Sequence, residues 1–452
     1  MSDAASPALD GGLDRGGPAT AATPTPPDGA PARPGSDGQE HPRAALVRLA
    51  LIVVAVFVVA TAAGVGKTVA IVAALIVMIM LHEFGHFITA KWADMKVTEY
   101  FLGFGPRLWS IRKGETEYGV KALPFGGYVK ITGMTNIEEV DPADEARTYR
   151  QQSYPRRLSV ALAGSTMHFL IALVLLFTLF FVTGRPGSPT NQVGSLYRLS
   201  TGPSPAQTAG FRVGDRIVAV DGRRFNNLDQ QGDYIRSKPG QQLDVTVERD
   251  GRTVDLFPTP ADLSKVTVEG APAEQTPTQP QGFIGIGYYV PTLRYGFISS
   301  INRTGGLFVD ISARTFDALG SLLSAHGVSS YGHMLTNTKA ADAPNAVRFS
   351  SPVGIVRVAN QAAKTGISDV LTLLILINIF VGIFNLLPLL PLDGGHVAIA
   401  TYEAVRSRKG RRYHVDVTKL MPVTYAVFLL LVFIGGSALF LDVRDLISVV
   451  RF

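Results

Sequence analysis

Residues 68–90 read TVAIVAALIVMIMLHEFGHFITA. From Thr68 to Leu81 no side chain is charged, and the apolar run continues past His82, Glu83 and His86 to Ala90. A hydrocarbon core of roughly 30 Å takes about 20 residues at helical rise, so this stretch is long enough to cross a membrane. Ionisable groups in such a run are costly to place in lipid, and they generally mark a functional site. His82 and His86 stand at i and i+4, which stacks both imidazoles on one helix face where a single metal ion can take both. Glu83 projects near the same ion and can accept a proton from a water that the metal has made more acidic. These residue types at this spacing point to metal-assisted hydrolysis of a peptide bond.

Outward from that stretch, further apolar runs repeat the pattern. The chain is 46% hydrophobic and only 17% charged, unlike an ordinary soluble enzyme. Membrane-spanning helices are expected at 44–66, 67–91, 158–184, 367–395 and 421–441. Residues 1–43 are rich in Pro, Gly, Ala, Ser and Asp with almost no large apolar side chain, so a disordered tail is expected there. The net charge of +6 does not require nucleic acid, because a polytopic protein carries excess Lys and Arg on its cytoplasmic loops. Segment 92–157 holds Lys91 at its edge and then Lys96, Arg107, Arg112, Lys113, Lys121, Lys130, Arg147, Arg150, Arg156 and Arg157. Segment 396–420 holds Arg406, Arg408, Lys409, Arg411, Arg412 and Lys419. Both are therefore expected in the cytoplasm, with the amino terminus inside, the long segment after the third span outside, and the tail 442–452 outside. Cysteine is absent, which excludes disulfides, thiolate ligands and a cysteine nucleophile.

The outer segment contains a β-rich module over 190–262. Asp215 to Gly222 and Leu243 to Gly251 each read as a strand with period-two alternation running into a turn. Pro272 to Pro280 reads as linker, and 263–366 as linker and short helices.

A catalytic zinc takes three protein ligands and leaves one position open. The span at 67–91 carries its histidines near its inner end, and the span at 367–395 ends on the same side with Asp393. The intervening Asn385-Leu-Leu-Pro388-Leu-Leu-Pro391-Leu-Asp393-Gly394-Gly395-His396 breaks the helix, and unwound backbone at membrane depth needs burial or a cavity. Asp393 is thus the expected third ligand, the alternative being a cap for the next cytoplasmic helix. His396 and His168 compete for the role; His168 also suits an interhelical polar contact.

With both motifs in hand, the chain from about Val69 onward resembles the site-2 protease group of intramembrane zinc metalloproteases, specifically the bacterial single-PDZ branch found in actinobacteria. HEFGH at 82–86 and Leu392-Asp393-Gly394 match its two signatures. Gly103-Phe-Gly-Pro106, Tyr118 to Tyr128 and Ser351-Pro-Val-Gly-Ile355 are similar to family segments, and Ala209 to Ile217 falls where a PDZ domain has its corresponding turn and strand. In Ala163-Gly-Ser-Thr-Met-His168 this chain departs from the Gly-Pro and Asn of its relatives.

The resemblance implies a polytopic α-helical membrane protein of about five transmembrane helices with one extracytoplasmic, β-rich PDZ-like domain. It implies Zn2+ on His82, His86 and Asp393, Glu83 as general base, and Asn385 hydrogen-bonded to the substrate or its oxyanion. Residues 118–130 would be a membrane-associated β-loop, with Gly126 and Gly127 as its tight turn, pairing with an unwound substrate as an added strand. The expected activity is regulated intramembrane proteolysis of single-span proteins such as trimmed anti-sigma factors, in a bacterial plasma membrane, after an upstream site-1-type protease. Two other classes fit parts of the pattern. One is a metal or proton transporter, since histidines and an aspartate within spans also build ion pathways; the other is a catalytically silent membrane PDZ receptor.

Overall fold

The helix containing the opening stretch, α1, runs from Gly66 to Trp92 without interruption. The computed structural model describes residues 58–134, 138–269, 279–337, 349–407 and 413–450, with isolated positions at 47, 51, 54, 55 and 277. The tail expected at 1–43 lies outside the described residues, as does part of the span expected at 44–66, of which 58–62 are helical. Four helices among the described residues are long and apolar enough to cross a membrane: Gly66–Trp92, Tyr154–Thr183, Ile367–Asn385 and Thr418–Arg444.

After α1 the chain forms two long strands, β1 (Val97–Lys113) and β2 (Thr116–Ile131), paired antiparallel. The hairpin reverses at Gly114, where φ is +63° and the absence of a Cβ permits it. Residues Glu99 to Leu102 meet Gly127 to Lys130 on one side and Glu117 to Val120 on the other, so the hairpin bends back on itself into a broader sheet. Glu117 to Val120 and Gly127 to Lys130 pair with the same four residues in opposite directions, so besides the turn at Gly114 the chain reverses again between Val120 and Gly127, next to the turn expected at Gly126 and Gly127. The bend at Gly126, with φ +118°, is what returns the strand toward α1.

Helix α2 (Tyr154–Thr178) begins with Ser153 as cap residue and a proline in its first turn, where a missing N–H costs nothing. It crosses α1 at two glycines. A Cβ on Gly85 would lie 2.7 Å from Ala163 O, and one on Gly164 would lie 2.3 Å from His82 Cε1. Small residues at a crossing let helix backbones approach closely, which is how apolar helices associate where no water drives them together.

The β-rich module follows. Strand β3 (Val193–Leu196) precedes a one-turn helix at Pro205–Thr208, which has a full capping box between Ser204 and Gln207. Then come β4 (Arg216–Val220), helix α3 (Leu228–Arg236, capped by Asn227), β5 (Val245–Arg249) and β6 (Arg252–Leu256). Strands β4, β5 and β6 form an antiparallel sheet in that order, while β3 pairs with β7 (Ile286–Tyr288). The module therefore reaches beyond the expected end at 262. Ile284 and Ile286 complete a core built on Val193, Phe211, Ile217, Leu243, Val245 and Val247. Thr292 and Leu293 pair with Arg185 and Pro186, closing a stem at the module's base. The apolar alternation at 283–288 is a strand signal that the preceding proline-rich stretch hides.

Helix α4 (Phe297–Leu323) is 27 residues long, where short helices were expected. Gly305 and Gly306 read as breakers, yet Leu307, Phe308, Ile311 and Leu319 pack against α2 and the later span, and that packing outweighs propensity. Helix α5 (Ala325–Thr336) and helix α6 (Pro352–Thr365) follow, each capped by a serine hydroxyl, Ser324 and Ser351. Helix α7 (Ile367–Asn385) buries Ile375, Ile379 and Ile383 against Ala172 and Leu176 of α2. Pro388 and Pro391 prevent further helix, and the chain turns through Leu386–Leu392 before α8 (Asp393–Arg406). Helix α9 (Met421–Val450) ends the described chain.

Candidate metal centre

Three elements converge on one point. Helix α1 presents His82 and His86 one turn apart, α2 supplies the wall behind them, and α8 starts at Asp393. His86 Nε2 lies 3.3 Å from His82 Nε2 and 3.3 Å from Asp393 Oδ2, and His82 Nε2 lies 3.5 Å from the same oxygen. His86 Nδ1 donates to Val160 O at 2.7 Å, which fixes the tautomer and leaves Nε2 with its lone pair turned inward. Asp393 Oδ2 is buried and receives no well-formed hydrogen bond, facing the imidazole nitrogens instead. Three lone-pair donors aimed at one another repel unless a cation sits among them.

The spacing also suits a particular cation. Ligands at about 2.0–2.1 Å on a tetrahedral ion stand about 3.3–3.4 Å from each other, close to the separations found here. Among the described residues, these three form the group of His and acidic side chains able to hold a metal, with their donor atoms within 4.8 Å of one another. The donor set fits zinc: two imidazoles and a carboxylate, the three protein ligands that a catalytic zinc takes.

Helix geometry explains the first two members, and close packing explains the third. Cβ atoms on Gly394 and Gly395 would lie 2.2 Å from Leu387 O and 2.7 Å from Leu390 N, so only glycine lets α8 start tight against the preceding turn. Gly164 has the same role on α2, since a methyl there would stand 2.4 Å from His86 Nε2.

Glu83 lies between α1 and the sheet. Its Cγ is 3.3 Å from where a Cβ on Gly127 would be. Tyr100 donates from its hydroxyl to Met80 O at 2.8 Å, fastening β1 to the same turn of α1. The edge of the sheet thus passes beside Glu83.

The remaining sequence candidates separate from this cluster. His168 is 3% exposed and its Nδ1 donates to Asn378 Oδ1 at 2.9 Å, while its ring centroid is 5.0 Å from that of His82. His396 is turned toward Tyr149, edge to face at 6.4 Å. Asn385 is the last residue of α7, separated from Asp393 by the turn. Asn378, fully buried in α7, also donates to Leu374 O at 2.7 Å and to Met78 Sδ at 3.4 Å. It is not among the sequence candidates, although an amide in the middle of an apolar run is itself a signal.

The model of peptidase family M50 matches residues 70–432. The zinc metalloprotease Rip1 of Mycobacterium tuberculosis is 34% identical over 401 residues, covering 84% of this chain and 96% of the relative. Rip1 of Mycolicibacterium smegmatis is 32% identical over 409 residues, covering 83% and 96%. A putative zinc metalloprotease of Agrobacterium fabrum is 28% identical over 359 residues, covering 76% and 88%.

Proposed function

We propose, from the premise that this chain belongs to peptidase family M50 and is a multi-pass membrane metallopeptidase, that it is a zinc endopeptidase cutting single-span membrane proteins within or at the edge of the bilayer. In this reading His82, His86 and Asp393 hold the zinc and Glu83 is the general base. The observation that carries it is the triangle of 3.3, 3.3 and 3.5 Å among the three donor atoms.

When bound, the ion polarises the scissile carbonyl and brings the ionisation of a water toward neutral pH. Glu83 takes a proton from the attacking water as its oxygen bonds to the carbonyl carbon, then gives that proton to the departing nitrogen as the C–N bond breaks. His86, locked by its bond to Val160 O, holds its ring position throughout. Asn385, at the mouth of the unwound turn, is placed in this reading to hydrogen-bond the substrate or its oxyanion.

A helical peptide bond is shielded, so the substrate must unwind before attack. The strand edge beside Glu83 offers backbone groups with which an extended segment can pair. Substrates of this kind include anti-sigma factors already shortened by a site-1-type protease. The β-rich module is read as a PDZ-like domain on the outer side of a bacterial plasma membrane, filtering substrates by size, with the amino terminus cytoplasmic and an extra span at 44–66 making five. The decisive assay co-expresses a trimmed anti-sigma factor with wild type or Glu83→Gln and quantifies zinc in both purified proteins. Cleavage by wild type alone, with zinc in both, supports the reading; cleavage by Glu83→Gln at the wild-type rate overturns it.

A further inference from the structure

Arg157, in the first turn of α2, and Glu403, near the end of α8, are 9% and 3% exposed. Arg157 Nη1 donates to Glu403 Oε2 at 2.6 Å, and the other oxygen, Oε1, accepts the Val415 N–H at 2.6 Å. The guanidinium lies 5.0 Å over the Tyr149 ring, and the Tyr149 hydroxyl donates to Arg157 O at 3.2 Å. Tyr149 in turn is bonded through its N–H to Thr132 O, just past the end of β2. One buried ion pair therefore joins α2, α8, the segment following the sheet and the approach to α9.

Burying two charges is not justified by stability alone, because well-packed apolar residues in their place are often as stable or more so. An ion pair with directed hydrogen bonds differs from an apolar contact in fixing register, whereas apolar surfaces can slide. Register matters at this junction. Helix α8 begins with Asp393 and reaches Glu403 ten residues later, about 15 Å along the axis. Its first turn is seated by Gly394 and Gly395, and its far end is tied by Glu403. Helix α2 carries the other half of the alignment, since Val160 O and Gly164 position the imidazoles.

We propose that Arg157 and Glu403 are positioning residues of the metal centre: their buried pair registers α8 on α2 and so holds Asp393 where its carboxylate meets the two imidazoles. The inference rests on reading that centre as the zinc site. Neither residue touches the substrate or the ion; both act through the placement of Asp393. Partners bonded directly to metal ligands contribute roughly 10- to 100-fold in metal affinity or activity, which bounds the effect of a pair acting through a helix, and a misplacement of about 1 Å at a reacting centre can cost ~10²-fold in rate.

The test uses the full chain purified in detergent as wild type, Glu403→Gln, and the double variant Arg157→Met with Glu403→Met. The double variant replaces the pair by apolar side chains and leaves no buried charge unpaired, which guards against simple misfolding. Zinc affinity is measured by competition with a chelator, and kcat and KM on a single-span substrate. Both variants are expected to keep their helical content while losing up to about 100-fold in zinc affinity, with kcat lowered and KM held. A folded double variant with wild-type zinc affinity and kcat overturns the positioning role. Wild type without zinc overturns the zinc reading itself, so the two failures are told apart.

Discussion

Asp215 in the β-rich module and Asp393 at the head of α8 are both carboxylates withdrawn from solvent, and their surroundings differ. Asp215, 1% exposed, receives Arg249 Nε on one oxygen at 2.7 Å, and Arg249 Nη2 and the Arg212 N–H on the other at 2.7 and 2.8 Å. Although burial pulls its pKa upward, the Arg249 guanidinium and the Arg212 N–H hold the carboxyl below its usual value. Every bond it makes closes within the module. Asp393 instead turns an oxygen without a well-formed donor toward two imidazoles. A buried charge satisfied by its own fold serves the fold, and one left facing other lone pairs serves something the fold is built to receive. The same contrast divides the glycines: those of the module mostly relieve turns, whereas Gly164 makes space for the imidazole pair.

The contrast breaks first at Gly164. Gly164→Ala places a methyl 2.3–2.6 Å from both imidazoles, and we expect zinc content and cleavage to fall to background. Hydrogen exchange over 190–288 should stay at wild type. A variant retaining both activity and zinc would show that α2 yields easily and that the close contact is incidental.

Next is Glu83→Gln, which keeps shape and removes the proposed base. Cleavage should fall by about 10²–10⁴-fold while zinc remains bound. Equal loss of zinc would move Glu83 from proton transfer to metal binding.

On the other side, Arg249→Ala strands Asp215. We expect about 3–5 kcal/mol loss of module stability, followed by proteolysis or hydrogen exchange of 190–288, with unchanged zinc content. A fall in zinc would mean the two regions are coupled more tightly than their separate bonding indicates.

The smallest effect concerns the sheet's attachment to α1. The Arg147 guanidinium, helped by Lys91 and opposed by burial, holds the Glu115 carboxyl down at about 2. Because the folded value lies below the ordinary 4.5, this contribution is complete above pH 4.5 and is lost as pH falls toward about 2. Glu115→Gln should therefore weaken the wild-type pH dependence in that window, and cost roughly 0–1 kcal/mol near neutrality. Identical acid profiles for the two proteins would remove Glu115 as the attachment.

Much of the centre is legible in the residues because local geometry carries it. A spacing of four puts His82 and His86 on one face, and prolines with glycines before α8 announce unwound chain. What escapes the sequence depends on contacts distant along the chain. The doubling of β1 and β2, in which Glu99 to Leu102 pair with two segments at once, is a pairing that a turn expected at Gly126 and Gly127 does not by itself specify. The length of α4 comes from packing against α2 and α7 that overrides two adjacent glycines. Strand β7 completes the module across a proline-rich stretch. Arg157 and Glu403 look like ordinary loop charges until helices separated by most of the chain bring them together.

All of this turns on whether two imidazoles and one carboxylate share an ion. Zinc quantification with X-ray absorption on wild type and Asp393→Ala in detergent addresses it directly. We expect one zinc per wild-type chain, with nitrogen and oxygen neighbours at about 2.0–2.1 Å, and its loss in the variant. A wild-type protein free of zinc, or a variant that binds zinc with the same neighbours and affinity, would contradict it.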